Sequence, residues 1–180
     1  MTPTERAFLE RGRVAALATV DGDGRPHAVP ICYALCERED VIDSAKAADP
    51  TDGTELVSAI DEKPKTTSAL QRVRNVRANP HVTVLVDRYR ADWSRLGWVQ
   101  VRGRARIVEP DTAADSAVDV ATRESADSER YDATDSALHD AAVAALETKY
   151  NQYATQDLGD RPIISIRADR TVSWGALESD

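Results

Sequence analysis

Two short runs of small and β-branched apolar residues, Val14 to Val20 (VAALATV) and His27 to Leu35 (HAVPICYAL), flank the turn-rich stretch Asp21-Gly22-Asp23-Gly24-Arg25-Pro26. Apolar runs of this length around such a stretch predict a β-hairpin. Ahead of them, residues 2 to 12 predict a short helix, with Thr2 or Thr4 as cap, Pro3 in the first turn and Gly12 as the stop. A third strand is expected to include Asp40 to Ser44, a loop to cover 45 to 53, and Glu55 to Ile60 (ELVSAI) to form the next strand. The two strands flanking that loop are either a hairpin or one interrupted strand.

From Thr66 the pattern turns helical. Thr66, Thr67 or Ser68 is placed to cap, Leu70, Val73 and Val76 recur along one face, and Asn79-Pro80 ends the run. Val82 to Asp87 (VTVLVD) reads as a buried strand. Trp98 to Val108 (WVQVRGRARIV) alternates as a long strand with one wet face, after a loop at Asp92 to Gly97. Residues 111 to 126 and 135 to 153 predict helices, the second with Leu138, Ala141, Ala142, Ala145 and Leu146 at helical spacing. Pro162 to Arg167 and Thr171 to Leu177 predict a terminal strand pair or one bent strand. The expected fold is mainly β with flanking helices (α+β), built from hairpins into one domain over residues 1 to 180.

Charge narrows the function. Thirty-one acidic against 23 basic residues give a net charge of -8. A general affinity for nucleic acid or anionic membrane needs a basic surface, so neither partner is expected. The basic residues are arginines except for Lys46, Lys63, Lys65 and Lys149, and an Asp-rich, Lys-poor surface suits a protein kept soluble at high salt. A halophilic origin follows as an expectation. No apolar run approaches the roughly 20 residues of a membrane helix, and Met1 to Glu10 lacks the apolar core of a signal peptide, so a cytoplasmic location is expected. Cys32 and Cys36 have no Cys or His at ligand spacing and read as buried or half-buried thiols.

One stretch opposes the global charge. Asp61-Glu62-Lys63-Pro64-Lys65-Thr66-Thr67 follows a strand and opens a helix that continues with Arg72, Arg74 and Arg77. A helix N-terminus presents unpaired N–H groups and about half a positive charge, and adjacent cations add to its pull on a phosphate. Arg72 points back toward that N-terminus, where it shares an anion with Lys63 or Lys65. His27, His81 and His139 are scattered, with no carboxylate or serine motif beside them, so no general acid or base is assigned.

The first hairpin, Leu17 to Pro30 (LATVDGDGRPHAVP), resembles that of the pyridoxamine-phosphate-oxidase-like split barrels, and Arg72 to Pro80 (RVRNVRANP) resembles their phosphate-binding helix with its Asn-Pro exit. The run Asp61 to Lys65, the Asp92-Trp93 loop and Val172-Ser173-Trp174 are similar to the branch that uses coenzyme F-420, a deazaflavin. The resemblance implies a six-stranded, FMN-binding-like split β-barrel, a homodimer with cofactor sites between subunits, and, with the acidic composition, a halophilic archaeal source. It also implies that Arg72, Lys63 and Lys65 hold the cofactor phosphate and that Val29 and Pro30 lie along the ring. Ser58 sits on the strand entering the phosphate loop, and Trp174 borders the ring or anchors the dimer. Trp93 and Trp98 are read as interface or core residues.

The implied function is an oxidoreductase that passes hydride from F-420 to a small electron-poor substrate. An FMN-dependent oxidoreductase and a non-catalytic flavin- or haem-binding protein are the alternatives. Arg74 and Arg77 favour F-420, whose acidic tail needs extra cations. The family's FMN oxidases carry a Ser-Arg-Lys triplet where this chain has Leu70-Gln71-Arg72, and their Arg…Trp…Arg signature is missing, so pyridoxamine-phosphate oxidation is not expected.

Overall fold

Of the two expected caps, Thr2 and Thr4, Thr2 caps the first helix. In the computed structural model, α1 (Pro3–Arg11) opens with a capping box in which Thr2 Oγ1 accepts from Glu5 N and Glu5 Oε2 accepts from Thr2 N, and Gly12 closes it. The structure describes residues 1–37, 53–60, 70–110 and 126–178. The expected strand at Asp40 to Ser44, the expected helix at 111 to 126 except its last residue, the expected caps Thr66, Thr67 and Ser68, and Lys63 and Lys65 lie outside them.

The hairpin forms from β1 (Ala15–Val20) and β2 (Pro26–Ile31), in register from Ala15 opposite Ile31 to Val20 opposite Pro26. Its turn is held by Asp21, whose Oδ1 accepts from the N–H groups of Asp23 and Arg25. Gly24 takes φ +82°, a conformation that glycine reaches without steric cost.

The second apolar run does not continue to Leu35 as one strand. It stops at Ile31, and β3 (Ala34–Glu37) leaves for the other edge of the sheet to pair with β4 (Thr54–Ala59). The reason is local satisfaction of the backbone at Tyr33. Its N–H donates to Tyr150 Oη at 3.0 Å and its carbonyl accepts from the same hydroxyl at 2.7 Å. One phenol serves both groups in place of a neighbouring strand.

After α2 (Gln71–Ala78), β5 (His81–Arg88) and β6 (Gly97–Val108) form an antiparallel pair joined by a 3₁₀ turn at Trp93–Arg95. The helix α3 (Ala126–Lys149) runs into a 3₁₀ turn at Asn151–Thr155. The C-terminal residues make one strand, β7 (Ile163–Gly175), paired with β6 along its length and shifted by a bulge at Arg102/Gly103. A Cβ at Gly103 would collide with the Arg167 carbonyl, so the bulge needs the bare backbone there.

Among the described residues the sheet has seven strands in the order β2-β1-β5-β6-β7-β4-β3, with every pairing antiparallel. The mainly β architecture is consistent with the expected split-barrel fold, and the expected count of six strands is corrected to seven in an open sheet among the described residues, with the apolar run around Tyr33 divided between strands on opposite edges.

The sheet curls, so that Leu17 of β1 and Leu56 of β4 share a core with Phe8 and Leu9 of α1 and Val76 of α2. The opposite face of the β3–β4 half packs under α3, where Ala34, Cys36, Val57 and Ile163 meet Leu138, Ala142 and Leu146. These helical contacts recur at the predicted spacing. Among the described residues no helix is long and apolar enough to cross a membrane.

Candidate functional site

The junction that the sequence marks for an anion is described from Leu70 onward. Arg72 lies in the first turn of α2, whose cap residue Leu70 supplies no side-chain hydrogen bond, and the first turn holds no carboxylate. Arg72 Nε is shielded from solvent. Uncapped N–H groups at the positive end of the helix dipole, with a guanidinium beside them, fit a phosphate oxygen.

The helix is fixed to the barrel by residues that the sequence reading did not single out. Asn75, fully buried, donates from Nδ2 to Thr19 Oγ1 of β1 at 2.9 Å and accepts from Gln71 Nε2 at 2.7 Å. Thr19 in turn donates to the His27 carbonyl of β2 at 3.3 Å. Their signal was a polar residue at an inward position of β1, visible only once the alternation of that strand is fixed. Farther along α2, Arg77 forms an ion pair of 2.7 Å with Glu109 and Arg74 bonds to Gln71. Arg77 therefore faces a carboxylate.

Val29 and Pro30 line a shallow cleft of about 330 Å³ with Val14, Ala16, Ala28 and Asp87. Strand parity puts Pro30, Ala28 and Ala16 on the outer face of the sheet, whereas Thr19 and α2 lie on the inner face. Ser58 is buried on β4 opposite Ile164 and shares the side of Leu56, facing the core that includes Val76. Trp174 stands on the outer face near the end of β7, opposite Trp98 of β6, and is 55% exposed.

The register measures their separation. Pro30 pairs with Ala16, Ala16 with Leu85, Leu85 with Gln100 and Gln100 with Val172, two residues short of Trp174. Four strand spacings of about 4.8 Å separate Pro30 from Trp174 by roughly 20 Å. One chain turns Ser58 toward the core that includes Val76 of α2, puts Val29 and Pro30 on an edge strand, and leaves Trp174 at the far side.

The core half of one tryptophan reading is excluded. Trp93 is 81% exposed on the 3₁₀ turn, so it is no core residue, and Trp98 is half-buried. Cys36 is buried and Cys32 half-buried, both as free thiols. Among the described residues no group of three or more His, Cys, Asp or Glu side chains is arranged to hold a metal.

Known proteins share this architecture. A conserved hypothetical protein of Mycobacterium tuberculosis superposes with a TM-score of 0.58 at 23% identity, over 97% of this chain and 85% of its own. The haem storage protein HutZ of Vibrio cholerae does so with a TM-score of 0.53 at 12% identity, over 96% and 92%. An F420 reductase gives 0.50 at 22% identity, over 93% and 94%. At these identities the likeness establishes the fold alone. No curated protein sequence matches the chain. The family model described as pyridoxamine 5'-phosphate oxidase matches residues 1–174, nearly the whole chain, and by that match this protein belongs to the pyridoxamine 5'-phosphate oxidase family.

Proposed function

We propose that the protein is an oxidoreductase that holds coenzyme F-420 by its phosphate and reduces a small electron-poor substrate. The observation that carries the reading is Arg72 in the uncapped first turn of α2, with Lys63 and Lys65 just upstream in the sequence. When bound, the deazaflavin supplies hydride chemistry. The chain's part is to anchor the phosphate through Arg72, Lys63 and Lys65, with Ser58 on the strand leading into that loop, and to orient the ring along Val29 and Pro30. No side chain is assigned as acid or base.

The working unit in this reading is a homodimer. The outer row Pro30, Ala16, Leu85, Gln100 and Val172, with Trp98 and Trp174 beside it, is apolar except for Gln100, and no described helix covers it, whereas α3 covers the β3–β4 half. Packing two such rows together shields the exposed Trp174. It also brings the partner subunit's Trp174 toward a ring that one chain leaves open on that side. The acid-rich surface belongs to a halophilic, cytoplasmic setting in the same reading.

Binding of F-420 and of FMN to wild type, Lys65→Ala and Arg72→Ala tests the anchor. Each substitution is expected to weaken F-420 by about tenfold or more, roughly 1.4 kcal/mol, and unchanged affinity in both variants would misplace the site. Tighter binding of FMN than of F-420 selects the FMN-dependent alternative. The second reading, a non-catalytic flavin or haem binder, draws on the fold shared with a haem storage protein. Stopped-flow mixing with reduced F-420 and a panel of enones and quinones separates the two readings, since a binder leaves the cofactor reduced throughout. Analytical ultracentrifugation checks the dimer, which a Leu85→Asp substitution is expected to split.

A further inference from the structure

A second concave site lies at the opposite end of β5 from α2. Where the C-terminal turn of α1 meets the end of β5, a cleft of about 230 Å³ is lined by Phe8, Arg11, Gly12, Val86, Asp87, Arg88 and Arg90. Three guanidinium groups around one small cleft oppose the net charge of -8 carried by the whole chain. Asp87 and the partial negative charge at the end of α1 offset them only in part, so the cleft is positive.

Two of the arginines are locked in place. Arg11 donates to the Leu177 carbonyl at 2.6 Å. Arg88 donates to the carbonyl of Arg95 at 3.1 Å and to that of Ala176, and its guanidinium lies 5.4 Å from the centre of the Phe8 ring. Those bonds explain Arg11 and Arg88 as clamps on the C-terminal segment. They leave Arg90 unexplained, since among the described residues it makes no ion pair or hydrogen bond. The floor is small and apolar, because Gly12 lies so close to Val86 and the Tyr33 hydroxyl that any side chain there would meet them.

We propose that this cleft binds the oxyanion, carboxylate or phosphate, of a compact small molecule. Arg11 and Arg88 form its pre-oriented wall and Arg90 is the residue that closes on the ligand. Guanidinium forks match such oxyanions, and side chains already held by other bonds lose little entropy when their remaining N–H groups bind. β5 runs roughly 24 Å, at about 3.4 Å per residue, from His81 beside the end of α2 to Arg88 at this cleft, so the site is distinct from the phosphate anchor, while Asp87 also lines the cleft of Val29 and Pro30.

The test titrates the full-length protein at low ionic strength with citrate and, separately, with inorganic pyrophosphate, following backbone amides by NMR and heat by calorimetry. Saturable binding is expected, with the largest shifts at Gly12 and Val86, at least tenfold weaker in Arg90→Gln and lost in Arg90→Glu. Neither substitution touches the clamp, so the melting temperature is expected to stay within about 2 °C of wild type. The tighter of the two probes identifies the oxyanion. Absence of saturable binding by both probes, an Arg90→Glu affinity equal to wild type, or shifts confined to Arg72 to Val76 overturns the proposal. The last pattern would support the α2 anchor instead, so the two sites fail separately.

Discussion

The two cores of this protein are built from different materials. The first, inside the curled sheet, is filled by aliphatic side chains such as Leu17, Val84, Val99, Val101 and Ile166, with Thr19 and Asn75 as a buried polar link. The second, under α3, also contains Tyr150, Tyr153 and Cys36, and beside it Glu55 accepts from Ser165 while Arg106 pairs with Asp135. Tyr33 is the seam: its ring is packed in the first core, its hydroxyl donates to the Leu9 carbonyl at 2.5 Å, and its backbone is held by Tyr150. Burial of apolar area dominates the first core, whereas the second depends as well on directed bonds that single atoms break.

Truncating each core tests that contrast most strongly. Ile166→Ala is expected to cost about 4 kcal/mol and Leu146→Ala about 3 kcal/mol in urea unfolding, within the range for buried Ile or Leu replaced by Ala. The two should differ in hydrogen exchange. Ile166→Ala should speed exchange across β1, β5 and β6 together, whereas Leu146→Ala should speed it first in α3 and β3. Equal patterns would merge the two cores into one cooperative unit.

Tyr150→Phe removes one oxygen and keeps the ring. That oxygen accepts from Tyr33 N and its single proton is shared between the carbonyls of Arg13 and Tyr33, so backbone groups lose their partner. A loss of about 2 kcal/mol is expected, measured by urea unfolding. Asn75→Ala, the matching deletion in the first core, is expected to cost about 1.5 kcal/mol. If α2 holds F-420 as proposed, it should also weaken that binding by loosening α2, whereas Tyr150→Phe should leave the affinity unchanged.

The smallest effect is pH dependence, and it should originate at the second core and the seam. Burial and the nearby Arg13 lower Lys149 from 10.5 to about 8, its amine lying 4.0 Å from the centre of the Tyr33 ring. Between about pH 8 and 10.5 the unfolded chain then holds more protons at this site, so stability rises with pH. Burial raises Cys36 from 9.0 to about 11, and it raises Tyr33 and Tyr150 as well. For these groups the folded state holds more protons above about pH 9, so stability falls as pH rises further. Thermal melting across this range is expected to peak at about pH 9, and Lys149→Met should flatten the rising limb alone.

The sequence by itself determined what depends on near neighbours. The Thr2 cap and its capping box, the Asp21 turn with Gly24, and the alternation along β5 and β6 each rest on residues a few positions apart. The charges around Arg72, on which the proposed anchor rests, are local too, but the helix start was not legible: the expected caps Thr66, Thr67 and Ser68 lie outside the described residues, and the described helix opens after Leu70. Tertiary structure decided the remainder. The apolar run from His27 to Leu35 breaks because a hydroxyl 117 residues away takes both backbone groups of Tyr33. The two C-terminal runs join into β7 because β6 offers a partner along its whole length and a glycine for the bulge. Pro30 and Trp174 lie four strands apart, and the arginines of the second cleft meet only where α1 closes on β5. Strand order and helix docking set these distances, and they follow from how the chain curls to bury its apolar faces, which no local pattern encodes.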